Sequence, residues 1–259
     1  MSASETWALV RAVARKTVRL RVHYAFNTLT SLVAVYLLFL LVVVAGRRVA
    51  PGVLAASLPE VVVSAAVLAV ASVAAADLAW DLVREAQWGT LEQLAMSPLG
   101  FGRVVLVETA VNVGIAFGYG AVLLSLLVAT TGSALRLDPV TVLPVGLLTV
   151  ATAVGVGLAV GGLALAFKRI EHLFALVQFA FVAFVAAPVE QVPALKLLPL
   201  ALGSHLLRLT MAGGRPLWTL PTTDLALLAV EAGAYLLVGY AGFQFAAARA
   251  RRRGTLGQY

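Results

Sequence analysis

The chain has no cysteine among its 259 residues, and it has little charge of either sign. The absence of cysteine excludes disulfides, thiolate catalysis and cysteine-ligated metal sites. Charged residues are 12% of the chain, about half the share of an ordinary soluble domain, while hydrophobic residues are 61%. The mean hydropathy is +0.98. A water-facing globule cannot cover so much apolar surface, so the composition predicts a membrane protein.

Recognisable catalytic motifs are also missing. The chain contains no G-x-x-x-x-G-K-[ST] phosphate loop, no G-x-S-x-G elbow and no H-E-x-x-H metal motif. Its three histidines, His23, His172 and His205, are scattered, and no acidic residue lies at metal-ligand spacing from them. We therefore expect no enzyme activity, no metal and no cofactor in this chain.

Six apolar segments are long enough to cross a bilayer, which takes about 20 residues of helix. They lie near 25–46, 58–80, 103–131, 139–167, 172–189 and 224–248. Ser57 and Glu60 form an S-x-x-E capping box before the second segment. Asp138 followed by Pro139 is typical of a helix start before the fourth. We expect an all-α membrane protein with one six-span domain over 25–259.

The basic residues predict an orientation. With both termini in the cytoplasm, about two thirds of the 19 lysines and arginines fall on the inner side, as the positive-inside rule requires. The net charge of +7 then indicates contact with anionic lipid rather than nucleic acid. We expect a multi-pass protein of the cell membrane.

The segment 190–223 is apolar but interrupted. It contains Pro193, Lys196, Pro199 and Arg208. A seventh span here would also place the basic cluster 251–253 outside. The pattern favours short, broken helices at the outer face. Irregular backbone at membrane depth needs protein or a water-filled cavity beside it, so we expect this segment to pack on the bundle or cap a pathway.

Residues 1–24 form a basic amphipathic pattern before the first span. Projected at 100° per residue, apolar side chains share one side and basic side chains share another. The basic side carries Arg11, Arg15 and Arg19. The pattern predicts a helix along the inner membrane surface. A basic leader that only sets topology and a helix that contacts a partner both fit it.

The stretch EAQWGTLEQLAMSPLG, residues 85–100, is a compact polar insertion between two apolar segments. Gly89 interrupts the preceding helix, and Thr90 with Gln93 forms a T-x-x-Q capping box. Glu92 falls in the first turn, where a negative charge is favourable. Pro98 ends the element. Such a short helix is unstable alone in water, so something must pack on it. An ordinary capped turn is the alternative.

The residues E-x-x-x-GTLEQL-x-x-SP of this stretch resemble the cytoplasmic loop between spans two and three of ABC-2 type transporter permeases. The coarse layout is similar over the whole chain, and the motif covers about fifteen residues. The resemblance implies a coupling helix that docks on an ATPase subunit. Its residues would be Glu85, Gly89, Thr90, Leu91, Glu92, Leu94 and Pro98. The N-terminal helix with Arg11, Arg15 and Arg19 would be the connecting helix at the same interface.

The same resemblance implies the partners. The ATPase is a separate nucleotide-binding subunit, present in two copies, and it carries ATP and magnesium. A second permease protomer completes the pathway, most simply as a homodimer. The chain would be the membrane subunit of an exporter that works by alternating access.

Several polar residues fall inside the predicted spans, where ionisable groups are costly and often functional. Glu108 and Asn112 lie at helical spacing in span three, and Glu231 lies in span six. They either line a pathway or form hydrogen bonds between helices. If Glu108 or Glu231 binds protons, the chain would be an ion-coupled secondary transporter, which is the alternative function.

Two small-residue patterns predict close helix packing. They are Gly114-x-x-x-Gly118 in span three and Gly157-x-x-x-Gly161 in span four. The contacts could lie within one protomer or between two.

Overall fold

The computed structural model describes residues 11–17, 19, 25–49, 51–87, 101–167 and 171–252. Every regular element in these ranges is helical. Helix α1 covers residues 11–17. The longer helices are α2 Ala25–Val49, α3 Pro51–Gln87, α4 Phe101–Thr131, α5 Pro139–Phe167, α6 Glu171–Val185, α7 Ala201–Met211 and α8 Thr222–Arg252. Two short 3₁₀ helices are Pro193–Leu197 and Leu217–Thr219.

Five of the described helices, α2, α3, α4, α5 and α8, are long and apolar enough to cross a membrane. This indicates a membrane protein, as the composition predicts. The fifth predicted segment, 172–189, is helical only to Val185 and gives a helix of 15 residues, about 22 Å long. Pro188 follows closely and disfavours helical backbone at the residue before it. The described helices therefore do not confirm a sixth full span.

One predicted helix start is wrong and another is confirmed. Helix α3 already begins at Pro51, so Ser57 and Glu60 lie inside it and do not cap it. Pro51 has no N–H to leave unpaired, which suits the first turn of a helix. Asp138 does cap α5, because its Oδ1 accepts the N–H of Val140 at 3.2 Å.

Close backbone contacts give the directions of the helices. A methyl group added to Gly155 on α5 would collide with the carbonyl of Tyr235 on α8, and one at Gly162 would collide with Phe243. At these contacts the residue numbers increase in the same direction along both helices, so α5 and α8 are parallel. Helix α4 runs antiparallel to α3, because Gly120 meets Val70 near the middle of α3, and similar lengths of helix lead from this contact to the end of α3 at Gln87 and to the start of α4 at Phe101.

The bundle therefore has two ends that can be named. The loop end carries the segments 132–138, 186–200 and 212–221, together with the start of α5 and α8. The α1 end carries the start of α4 and the last residues of α3 and α8. One buried core cluster lies between α3, α4, α5 and α8, and another lies between α3, α5, α6, α7 and α8. Helix α2 lies at the edge with most of its apolar side chains exposed.

The two predicted small-residue patterns differ in whether they form close contacts between helices. Gly157 packs closely on the backbone of Ala75, so this pattern does form a tight contact within the protomer. Gly114 and Gly118 have nothing within 4 Å of an added methyl group, and both are exposed. The α4 pattern therefore makes no close contact within the described part of the chain.

Candidate functional site

Helix α1 docks on the start of α4. Nζ of Lys16 lies 3.1 Å from Oε1 of Glu108, a buried carboxylate on α4, while the Lys16 side chain is half-exposed. Val13 on the same helix is buried. The three arginines of the predicted connecting helix are all exposed: Arg11, Arg15 and Arg19. In the described part of this helix, Val13 and Lys16 therefore lie on the side against the bundle, and the three arginines lie on the open side.

The motif that resembles a coupling helix begins at the end of α3. Glu85 is in the last turn of that helix. The remaining motif residues lie outside the described ranges: Gly89, Thr90, Leu91, Glu92, Leu94 and Pro98. Described helices flank these residues in the chain, because α3 ends at Gln87 and α4 begins at Phe101. Both residues belong to the α1 end, so the segment between them connects two long helices there.

The polar residues predicted inside the spans do not form one site. Glu108 and Asn112 are buried on the same side of α4, near the α1 end. Glu231 is buried on α8, in the half of the bundle toward the loop end. Its Oε1 accepts no hydrogen bond from any described residue. Two of the predicted residues are thus neighbours, and the third is separate.

Helix α7 is inserted into the loop end of the bundle. The N–H of Leu200, just before the helix, donates to Oγ1 of Thr152 on α5 at 3.0 Å. Leu200 is buried with a left-handed φ of 69°, an unusual conformation for leucine. The next contact is Gly203, where an added methyl group would collide with Thr149. The expected broken helices that pack on the bundle are confirmed.

The 3₁₀ helix Pro193–Leu197, which precedes α7, is bonded to α8. Nζ of Lys196 lies 2.7 Å from Oδ1 of Asp224, and the hydroxyl of Tyr235 donates to the carbonyl of Leu197 at 3.0 Å. Both contacts join the Pro193–Leu197 turn to the first part of α8. The broken region is therefore fixed on two sides, by α5 and by α8.

Arg208 on α7 holds the end of α6. Its Nη1 donates to the carbonyl of Val185 at 2.7 Å and to Oγ of Ser64 on α3 at 3.2 Å. Val185 is the last residue of α6, and carbonyls in that position have no partner within their own helix. Ser204 donates to the same carbonyl at 3.1 Å. Burial lowers the pKa of Arg208 below its ordinary value.

Arg208 also lines a polar cavity of about 390 Å³ between α3, α7 and the segment 186–191. Other polar side chains there are Glu60, Glu190 and His205. Nε2 of His205 lies 3.7 Å from Oε1 of Glu190. Burial, followed by the nearby Arg208 charge, lowers the pKa of His205, and Glu190 opposes the shift. The cavity presents both signs of charge at the loop end, an arrangement that suits polar or zwitterionic groups.

The sequence pointed to this region only indirectly. Arg208, His205 and Lys196 stand out because charged residues are rare in the apolar segment 190–223. Their partners could not be found by pattern, because Val185 contributes a backbone carbonyl and Ser64 lies on a distant helix. Within the described ranges, no group of three histidines or acidic residues could hold a metal ion.

Comparisons of the chain with protein-family models, with curated proteins and with solved structures found no match. Function is therefore inferred from the residues of this chain, from the resemblance at its 85–98 motif and from its geometry.

Proposed function

We propose that this chain is the permease subunit of an ATP-driven transporter of the ABC-2 type, an exporter whose ATPase is a separate subunit. One observation carries the proposal. The segment between Gln87 and Phe101, which contains the GTLEQL-x-x-SP motif, is bounded at the α1 end, where Lys16 of the basic helix pairs with Glu108. The described residues on either side of the motif and the basic helix thus share one end of the bundle, which supports a common partner there.

The long helices suit mechanical coupling. Helices α3 and α4 have 37 and 31 residues, and they flank the motif directly. Their packing extends to the middle of the bundle, where Gly120 contacts Val70. A force on a short helix at 90–96 would therefore reach the core through two rigid, packed elements rather than through a flexible linker.

The proposed topology has six crossings and both termini in the cytoplasm. Helices α5 and α8 are parallel, so the chain between them must return to the loop end. Helix α6, with 15 residues, covers part of that distance, and the irregular segment 186–200 continues it. The loop end is then the outer face, and the cavity at Arg208 lies on the side where an exporter releases its cargo.

The proposed assembly contains two permease protomers, most simply two copies of this chain, and two ATPase subunits that bind ATP and magnesium. Exposed surface on α1 provides a place for the ATPase beside the motif: Arg11, Arg15 and Arg19 are all exposed. No chemistry is assigned to the permease itself, since the ATPase hydrolyses the nucleotide.

The test is an affinity purification of the tagged chain in mild detergent, with identification of co-purifying proteins and an ATPase assay. We expect a stoichiometric ATP-binding subunit. Leu91→Asp should remove it, because a charge would enter the small apolar face of the motif helix. Leu137→Asp is the matched control, since Leu137 is exposed in the loop at the opposite end.

Two outcomes would contradict the proposal. A clean preparation without any ATPase in several detergents would remove its basis. An ATPase that stays bound and active in transport with Leu91→Asp would show that the motif is not the docking element. Loss of the subunit in Leu137→Asp as well would indicate general unfolding, and the assignment of the motif would then lose its support.

A second candidate, an ion-coupled carrier, is favoured by Glu231. This buried carboxylate has an oxygen that accepts no hydrogen bond from the described residues, and such groups often bind protons in transporters. In this case, a pH jump applied to vesicles containing the chain alone should displace charge, and Glu231→Gln should abolish the displacement. An unchanged signal in Glu231→Gln would exclude this residue as the proton site.

A further inference from the structure

A second cavity, of about 310 Å³, lies at the loop end beside the starts of α5 and α8. We call it the Arg136–Arg215 cleft. It is lined by Arg136, Asp138, Thr141, Val142, Thr210, Gly214, Arg215, Pro216 and Trp218. It shares no residue with the cavity at Arg208 and belongs to a different part of the surface.

The walls of the cleft are fixed by hydrogen bonds. The N–H of Arg136 donates to the carbonyl of Met211 at 2.8 Å, which joins the loop 132–138 to the end of α7. The N–H of Leu217 donates to Oγ1 of Thr141 at 3.0 Å, which joins the other wall to α5. The Arg136 side chain crosses Gly214, whose left-handed φ of 69° favours glycine and whose missing side chain leaves room for the arginine.

The charge of the cleft is not balanced within the protein. Arg136 and Arg215 are exposed, and neither forms an ion pair with a described residue. The one carboxylate in the lining, Asp138, is engaged at the start of α5, where it accepts the N–H of Val140 and the hydroxyl of Thr141. The lining therefore carries two guanidinium groups and one carboxylate, so one positive charge is left in excess.

The depth of the cleft matches a membrane surface. The spans of α5 and α8 begin at Pro139 and Thr222, so Arg136 lies three residues before one span and Trp218 four residues before the other. Trp218 is 77% exposed, and tryptophan at the end of a span is typical of the headgroup region. The cleft is thus at the level of lipid phosphates.

An apolar face leads from the cleft into the membrane. Val140, Leu143 and Leu147 recur at helical spacing on α5, and each is more than half exposed. This face starts next to Thr141, which lines the cleft. It can cover an acyl chain while the arginines bind the head.

From this combination we infer that the Arg136–Arg215 cleft binds the phosphate of an anionic phospholipid in the leaflet at the loop end. Arginine is suited to phosphate because its planar fork donates two parallel hydrogen bonds. Trp218 positions the glycerol region, and the α5 face holds the chain. The inference depends on the membrane location alone, so it stands or falls separately from the proposed ATPase partner.

The experiment uses tryptophan quenching in the full chain. The protein is placed in phosphatidylcholine vesicles that contain brominated phosphatidylglycerol or, in parallel, brominated phosphatidylcholine. The contribution of Trp218 is obtained by subtracting the signal of Trp218→Phe. Measurement at about 1 M salt shortens the Debye length to about 3 Å and suppresses general surface attraction. We expect the brominated anionic lipid to quench Trp218 at a lower mole fraction than the brominated zwitterionic lipid.

The key variant is Arg136→Gln with Arg215→Gln. It should raise the mole fraction of anionic lipid for half-maximal quenching by roughly tenfold, because two charge-assisted contacts are lost. Arg136→Lys with Arg215→Lys should keep part of the preference. The matched control is Arg47→Gln with Arg48→Gln, which removes the same charge from exposed positions at the same end of the bundle.

Three results would overturn the inference. The preference for anionic lipid could survive in the double glutamine variant. The Arg47 and Arg48 control could lose the preference equally, and that result would indicate surface charge alone. Millimolar inorganic phosphate or glycerol phosphate could abolish the preference in the unmodified chain, which would assign the cleft to a phosphate from solution. Near-native circular dichroism of each variant ensures that a lost preference reflects the cleft.

Discussion

The ammonium group of Lys16 and the carboxylate of Glu108 form an ion pair at 3.1 Å, although the two residues are 92 positions apart and helices α2 and α3 lie between them in the chain. This pair fixes helix α1 against the beginning of α4. Lys16 is half-exposed and Glu108 is almost fully buried, so the contact lies at the boundary between the bundle and its surroundings. It holds α1, one of the two elements that we propose to contact an ATPase, against α4.

We expect Lys16→Gln to loosen α1 without unfolding the bundle. A half-exposed pair is worth about 1 kcal/mol, so amide exchange in residues 11–17 should accelerate roughly fivefold. Arg15→Gln is the control on the same helix, because Arg15 is exposed. Hydrogen exchange read by mass spectrometry measures both. Equal protection in Lys16→Gln and the unmodified chain would mean that the pair does not hold α1.

Removing the guanidinium of Arg208 should destabilise the loop end. In Arg208→Met, the carbonyl of Val185 and the hydroxyl of Ser64 lose a charged donor, which costs about 2 kcal/mol. The thermal midpoint in detergent should fall by roughly 5 °C. Arg47→Met, at an exposed position, should leave it nearly unchanged. A midpoint in Arg208→Met that equals this control would refute a structural role for the arginine.

The stability of the chain should fall in mild acid because of His205. Its pKa lies below the ordinary value of 6.5 in the folded protein, chiefly because burial disfavours the charged ring. The unfolded chain therefore binds this proton first, and the free energy of unfolding decreases as the pH falls from about 7 through the window below 6.5. The stability that the neutral ring of His205 contributes is fully present only above pH 6.5, the ordinary pKa of the unfolded chain.

The measurement is the thermal midpoint as a function of pH between about 5 and 8. His205→Gln should flatten the profile, whereas His172→Gln should not, since His172 is exposed at the start of α6. A slope that persists unchanged in His205→Gln would assign it to other groups.

Glycines on α5 and α4 should differ in their tolerance of alanine. Gly155→Ala places a methyl group against the carbonyl of Tyr235, and overpacking of this kind costs about 1–3 kcal/mol. Gly114→Ala meets open space and should be neutral or stabilising by up to about 1 kcal/mol, because alanine favours helix. Thermal unfolding compares them. If both alanines are tolerated equally, the close α5–α8 contact is not present in solution.

Much of the fold could be predicted because most of the long apolar runs are themselves helices. The segments 103–131 and 139–167 agree with α4 and α5 within two residues. The start of α3 was missed because a capping box at Ser57 is a local pattern, and the helix continues through it from Pro51. The fifth segment was too long because its hydropathy persists past Val185, while Pro188 ends the helix.

The candidate sites were less predictable than the helices. Arg136 and Arg215 lie far apart in the chain, and only the packing of two loops brings them to one cleft. The contact of Lys16 with Glu108 could not be predicted either, since no sequence motif contains both residues. Hydropathy determines which segments cross, but the pairing of polar groups depends on the rotation of each helix.

The parallel contact between α5 and α8 has a consequence for biogenesis. Gly155 packs on Gly239 and Tyr235, which leave the ribosome much later. At about 5–20 residues per second, several seconds pass between their syntheses. During that interval the face of α5 that carries Gly155 and Gly162 can be covered only by lipid or by another protein. The core around α5 is thus completed only when α8 has been made, and a chain that stops before α8 would enter the membrane with this face of α5 uncovered by its own helix.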